Sequence, residues 1–419
     1  MSATQRSDQL DVVRRLSRDP TVGPPAGSSE GPADEFCRYA CLVYSEVDGP
    51  ERWARARAVL AAQPGITVSS IAAAACAADP EAITTHLTAD PSCANREVGP
   101  FRWAPLMYLT YSRVHGSGVP TDRFLRSARL LLDAGADPNA GYLWRGLIPP
   151  FTVITGVFSE GEQGAGRQPR HPHSAALARM LLTAGAHPDD GQALYNRMFR
   201  PDDSHLELLF EFGLGRVSGD PWAELLGDAA ESAVRMFARQ LGWAIDHGFS
   251  DRVELLIANG VDLDSPLLDG RTPAEHALSA GYRDIVEDLR VAGVALPAAS
   301  PELAVVGALL AGDGDYVAEH PDDVRAARRS CPTLIHRARS GAAVTLIAAS
   351  GFDVDARSGG RTALHDAAFS GDLELITALL AAGADRATTD DSYTATPLGW
   401  AEHACLPATI DVLQSAGES

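Results

Sequence analysis

No lysine occurs anywhere in the 419 residues, so all 35 basic side chains are arginine. That absence removes several chemistries at once. A P-loop needs a lysine on the β- and γ-phosphates, a protein kinase needs its strand lysine, and Schiff-base enzymes and Ser-x-x-Lys acylases need a lysine nucleophile or base. Positive charge as a whole is scarce: 55 acidic residues leave a formal net charge of −20. Nucleic acids and anionic membranes are held by Lys and Arg that neutralise phosphates, so this balance argues against both as partners. A basic protein, a cationic peptide or a small molecule remains open. The six cysteines (Cys37, Cys41, Cys76, Cys93, Cys331, Cys405) form no C-x-x-C pair, which excludes a zinc ribbon or thioredoxin-type site and leaves buried, reduced thiols as the expectation. There is no apolar run of about 18 residues and no charged-then-apolar opening segment, so the expected location is the cytoplasm. G-x-S-x-G and H-E-x-x-H are also missing. The glycines from Gly161 to Gly166 sit in a polar, proline-flanked stretch, where flexibility explains them better than nucleotide binding.

What is present is alanine-rich and repetitive. Hydrophobic residues make up 45% of the chain and aromatics only 6%, enough to build a continuous packed interior with few strand-favouring rings. The length exceeds that of one ordinary core, which predicts two or three domains or one long array. The lysine-free, Arg/Ala/Gly/Pro/Asp-rich composition looks like the product of a very GC-rich, actinobacterium-like genome. Residues 1–32 pass into a Gly/Pro/Ser stretch that buries too little to offset its ordering entropy, and they read as a flexible leader.

Two phrases then recur. The first is a pair of leucine-like residues, two spacers, Gly, a small residue and a polar turn, as in Leu131-Leu-Asp-Ala-Gly-Ala-Asp-Pro-Asn139, Leu181 to Asp189, Leu256 to Asp264, Ile347 to Asp355 and Leu380 to Asp385. Gly past the last apolar turn supplies a left-handed helix cap. The second phrase begins the other helix: Gly270-Arg-Thr-Pro-Ala-Glu-His-Ala277, Gly360-Arg-Thr-Ala-Leu-His-Asp-Ala-Ala368 and Thr396-Pro-Leu-Gly-Trp-Ala401. Thr serves as N-cap and Pro occupies the first helical position. Gly260 and Gly293 lie 33 residues apart, and Gly351, Gly383 and Gly417 follow at 32 and 34.

In signature and period the chain resembles the ankyrin-repeat family, whose unit of about 33 residues carries Thr-Pro-Leu-His-x-Ala. The resemblance is clear over 238–419 and looser over 100–215. It implies an all-α fold, an ankyrin solenoid of about ten helix pairs with short hairpin-like loops, irregular in its N-terminal half. The expected domains are the leader, irregular repeats over 33–237 with a loop insertion near 159–173, and an ankyrin domain over 238–419. Pro221 to Phe237 reads as one apolar helix between the halves.

The resemblance also implies where a partner would bind. The column after the signature histidine lies beside the inner groove of ankyrin proteins and here holds Tyr108, Trp243, His276, Arg337, Asp366 and Trp400. Outward positions hold Tyr111, Asp246, His247, Ser279, Phe369 and His403. Hairpin tips hold Arg271, Arg361 and the loop Asp390 to Ala395 with Tyr393. The implied function is a monomeric scaffold for protein–protein interaction, without cofactor or metal. The alternative is a small-molecule binder or enzyme of a specialised biosynthetic pathway, with Asp366 and His403 as acid and base and Tyr393 and Trp400 as walls. His365 and His336 fall on the signature histidine, whose family role is a hydrogen bond to a neighbouring turn. His171 and His173 lack a third ligand for a metal.

Overall fold

The computed structural model describes residues 11–24, 30–114, 118, 120–298 and 300–415. The chain divides into two compact units, Met1–Ala233 and Val234–Ser419. In both, most residues are helical and helices pack mainly on near neighbours in the chain. Among the described helices none is long and apolar enough to cross a membrane.

In the first unit, helix Pro32–Ala40 packs on Pro50–Ala62 and on Ile71–Cys76, and the row continues through Pro105–Tyr111, Val153–Phe158 and Gly191–Arg197. A second row runs through Pro80–Ala89, Thr121–Asp133, Ser174–Thr183 and Ser204–Glu211. Members of the first row are short and enclosed: every residue of Ile71–Cys76, Pro105–Tyr111 and Val153–Phe158 is buried. A helix walled in on all sides must be apolar or small around its whole circumference, which the run Ile71-Ala-Ala-Ala-Ala-Cys76 satisfies.

Side chains at the ends of the recurring turn phrase, and Asn95 at the end of the short turn Pro91–Asn95 before it, stitch consecutive turns together. Asn95 accepts from the Asp137 N–H at 2.8 Å and donates to the Gly135 carbonyl at 2.6 Å. Asn139 does the same one turn later, to His187 (2.8 Å) and Gly185 (3.0 Å). Asp189 continues by accepting from Gly215, at 2.7 Å. In the second unit Asp355 accepts from the Asp385 N–H at 3.0 Å.

Three expectations are corrected in the first unit. Part of the leader is folded: residues 11–16 are helical, and Val13 and Leu16 pack against Leu143, Trp222 and Leu226. Ser17–Arg18 (β1) pairs in parallel with Gly141–Trp144 (β2), which pairs antiparallel with Phe151–Thr152 (β3). Residues 1–10 and 25–29 of the leader lie outside the described residues. The insertion near 159–173 is packed, with Ser159, Gln168 and His171 buried. Gln168 donates to Asp48 Oδ2 at 3.0 Å, and the buried Arg113 guanidinium donates to the carbonyls of Pro169 and Gly156, both at 2.7 Å. Pro221 to Phe237 breaks into helix Pro221–Leu226, a short turn at Gly227–Ala229 and helix Ala233–His247. Gly227, at φ 55°, ends the first of these.

In the second unit, no strand forms among the described residues. Helix Pro273–Ala280 packs on Arg283–Val291 and Pro301–Ala311, which meets Gly341–Ala349. Gly341–Ala349 packs on Leu373–Ala381, which meets Pro407–Ser415; Ala363–Ser370 packs on Pro397–His403. The cap glycines do what their place in the phrase predicts. Gly135, Gly185, Gly260, Gly293, Gly351 and Gly383 all have φ between 74° and 101°, a region costly for residues with a Cβ. Gly417 lies outside the described residues. Thr272 and Thr362 make capping boxes with Glu275 and His365, and Thr396 caps Gly399. Around Ile335 the first helix shrinks to one 3-10 turn, Leu334–Arg337.

Candidate functional site

The column after the signature histidine is a set of polar links between neighbouring repeats. His276 lies between Asp246 of the preceding repeat, 2.5 Å from Nε2, and Asp269 of its own hairpin tip, 3.3 Å from Nδ1. Arg271 pairs with Asp269 at 2.5 Å and donates to Ser279 Oγ, also at 2.5 Å. Arg337 donates to the Ser279 carbonyl at 3.0 Å, and Tyr282 donates its hydroxyl proton to the Arg337 carbonyl at 2.8 Å. Trp243 and His247 stack one turn apart on their helix, centroids 3.9 Å apart and planes 12° off parallel. Burial holds the His247 imidazole below its ordinary pKa.

Asp366 anchors the densest cluster. His336 Nδ1 lies 2.8 Å from Oδ2, and Arg361 Nε donates to Oδ1. Burial works against the charge, yet these two partners hold the carboxyl below the usual carboxylate range. The other His336 nitrogen donates to the Ala356 carbonyl at 2.9 Å. The imidazole bonded to Asp366 is thus that of His336, whereas the acid–base alternative sets Asp366 and His403 on one groove. A carboxylate tied to an imidazole and a guanidinium is poorly placed to take up a substrate proton. His403 is exposed at the end of helix Pro397–His403.

Beside Asp366 stands an aromatic group. The rings of Phe369 and Tyr393 approach Trp400 edge-to-face, with centroids 5.6 and 6.4 Å away, and the Arg361 guanidinium lies 5.8 Å from the Trp400 ring centre. Asp390 builds the tip that carries Tyr393. One carboxylate oxygen accepts from the Ser392 and Tyr393 N–H groups at 2.8 and 2.6 Å, and the other from Ala395 N–H and Trp400 Nε1, both at 3.0 Å. Burial would raise its pKa, but these four donors hold the carboxyl far below the ordinary value. Thr394 takes φ 55°, a left-handed conformation that is strained for a β-branched residue. The tip holds Tyr393 outward with 78% of its surface exposed.

Tyr108 and Tyr111 are corrections: both are fully buried in the first unit. Tyr108 donates to the Val98 carbonyl at 2.8 Å, and Tyr111 to that of Thr152 at 2.9 Å, amid Trp103, Tyr142 and Phe101. The rings of Phe101, Trp103 and Tyr142 pack against them and cover positions that the resemblance left open. Among the described residues no group of three or more His, Cys, Asp or Glu side chains could hold a metal ion. His171 Nδ1 accepts from the His173 N–H at 3.1 Å, and His173 Nδ1 lies 2.9 Å from Thr121 Oγ1.

Sequence reasoning missed His336 as the partner of Asp366, and it missed Asp390 as the residue that shapes the tip. The first was hidden because the two lie 30 positions apart. The second was legible only as an Asp opening a loop, a signal this acidic chain repeats many times.

No curated protein matches the chain. Residues 359–391, from the turn before helix Ala363–Ser370 through helix Leu373–Ala381 to the start of the Tyr393 tip, match the family model described as Ankyrin repeat.

Proposed function

We propose that this chain is a scaffold that binds a protein partner through the first-helix column and hairpin tips of an ankyrin-type array. The observation that carries this reading is the Tyr393 tip. A large aromatic side chain is held in solvent by a fully bonded carboxylate and a strained Thr394, next to Trp400 and Phe369. Strain of this kind costs about 1–3 kcal/mol and concentrates where ligands are held. Exposed aromatic and arginine side chains fixed before binding suit a hot spot, since little freedom is lost on association. The inter-repeat links at His276, Arg337 and Asp366 keep that surface rigid; Arg337 and Asp366 are partly covered, and His276, expected to face a partner, is buried between its two carboxylates and serves only as a link.

Panning a random peptide library against the immobilised full chain tests the proposal. Enriched peptides should bind a defined surface and weaken when Phe369 or Arg271 is replaced by Ala. A chain that enriches no peptide, or peptides indifferent to both substitutions, would overturn the reading.

A further inference from the structure

The tip around Tyr393 has a composition that selects its occupant. Its aromatic rings would suit an apolar side chain as well as a cation, and the charge around them decides between the two. Trp400 already takes a guanidinium from its own chain, that of Arg361, at 5.8 Å. Tyr393 stands edge-on to the same indole and leaves 78% of its surface to solvent. Two residues earlier on the tip, Asp391 projects a carboxylate whose side chain is 68% exposed although it pairs with Arg357. The whole chain carries a net charge of −20, which attracts cations to it at long range, while at the tip itself Arg357 and Arg361 are each already paired with a carboxylate.

We infer that Tyr393, Trp400 and Asp391 form a seat for an arginine side chain of the partner polypeptide. This inference rests on the scaffold reading and gives it a chemistry. A planar guanidinium lies flat on an aromatic ring and donates to a carboxylate in the same plane, which a lysine ammonium does less well. The rigid hydrogen bonding of Asp390 fixes the tip before the arginine arrives, so the ring does not have to be ordered on binding.

The test is calorimetric titration of the full chain with hexa-arginine, and with hexa-citrulline as a neutral probe of nearly the same shape. Hexa-arginine should bind and hexa-citrulline should not. Tyr393→Ala should weaken hexa-arginine binding about fivefold at unchanged melting temperature, and Tyr393→Phe should restore it, because the ring face carries the attraction. Equal binding of the two peptides would overturn the assignment. So would hexa-arginine binding that ignores Tyr393→Ala, since that would be diffuse attraction to an acidic surface. If hexa-arginine does not bind while library-selected peptides still do, the arginine seat falls and the scaffold stands.

Discussion

His365 joins its own repeat to the next through Ala395. Its Nε2 donates to the Ala395 carbonyl at 3.0 Å, while Nδ1 accepts from the Thr362 N–H at 3.2 Å and from its hydroxyl at 2.8 Å. With one nitrogen donating and the other accepting, the imidazole is neutral. Burial pushes its pKa below the ordinary value, more than the Ala395 carbonyl and the nearby Asp390 and Asp366 raise it. A depressed histidine stabilises the fold fully above the unfolded-state value of about 6.5, and that contribution is lost as pH falls through the folded value. Lowering pH from about 7.5 to about 5.5 should therefore reduce the protection factor at the Tyr393 tip, read as exchange relative to the intrinsic rate at each pH. His247 shifts the same way, so unfolding of the whole second unit should show the same sign. Asp366 and Asp390, also depressed, add their loss only in the carboxylate range. In His365→Gln the protection factor at the tip should lose its pH dependence between these values; an unchanged slope would refute the role given to this imidazole.

Asp366 holds two repeats together by taking His336 on one oxygen and Arg361 on the other. Asp366→Ala should cost about 1–2 kcal/mol, since charge-assisted hydrogen bonds are worth more than neutral ones but this pair is partly open to water. Asp366→Asn should cost less, because the carboxamide oxygen can still accept one of the two bonds. Chemical denaturation followed through the second unit's tryptophans checks the order Ala, then Asn, then wild type.

The parts of the fold that the sequence made legible are those set by backbone chemistry. Gly260, Gly351 and Gly383 announced helix ends because only a residue without Cβ accepts their φ cheaply, and Thr272 and Thr396 announced starts because their hydroxyls satisfy open N–H groups. Such signals are local and survive degeneration of the repeat. The packed state of Gln168 and Arg113 was not legible, because it depends on Ser45, Asp48 and Gly156, each reached across the fold. At the candidate site, Arg361, Phe369, Tyr393 and Trp400 lie together, a grouping the repeat register did not give, since it assigned them separately to a column, an outward position and two tips. Tyr108 and Tyr111 are covered by their aromatic neighbours, and exposure is not written in a repeat register.

Asn139 uses both halves of its carboxamide, to His187 N–H and to the Gly185 carbonyl. The equivalent Asp189 can only accept, and does so from Gly215. Asn139→Asp should keep the bond to His187 and lose the one to Gly185, costing about 1 kcal/mol, whereas Asn139→Ala loses both and should cost about 1–2 kcal/mol. Hydrogen exchange at His187 distinguishes the two: protected in the Asp variant, exposed in the Ala variant. Equal exchange in both would show that the turn holds itself without its neighbour.

Gly156 lets helix Val153–Phe158 lie close against helix Pro105–Tyr111 in the first unit. A Cβ placed there would stand 2.3 Å from Tyr111 Cδ2, 2.4 Å from Cε2 and 2.8 Å from Thr110 Oγ1. The Tyr111 ring cannot swing aside, because its hydroxyl is bonded to Thr152 and its faces are packed by Trp103 and Tyr142. The Gly156 carbonyl also accepts from buried Arg113, so moving the helix away would stretch that bond as well. Gly156→Ala should therefore destabilise the first unit by about 3 kcal/mol, at the upper end of the usual cost of overpacking. Pairing it with Tyr111→Leu relieves the clash but deletes a buried hydroxyl bond. The double variant should recover part of the loss, so the two substitutions should be strongly non-additive in thermal unfolding. Simple additivity would mean that the helix shifts to admit the methyl group and that the tyrosine does not set the spacing.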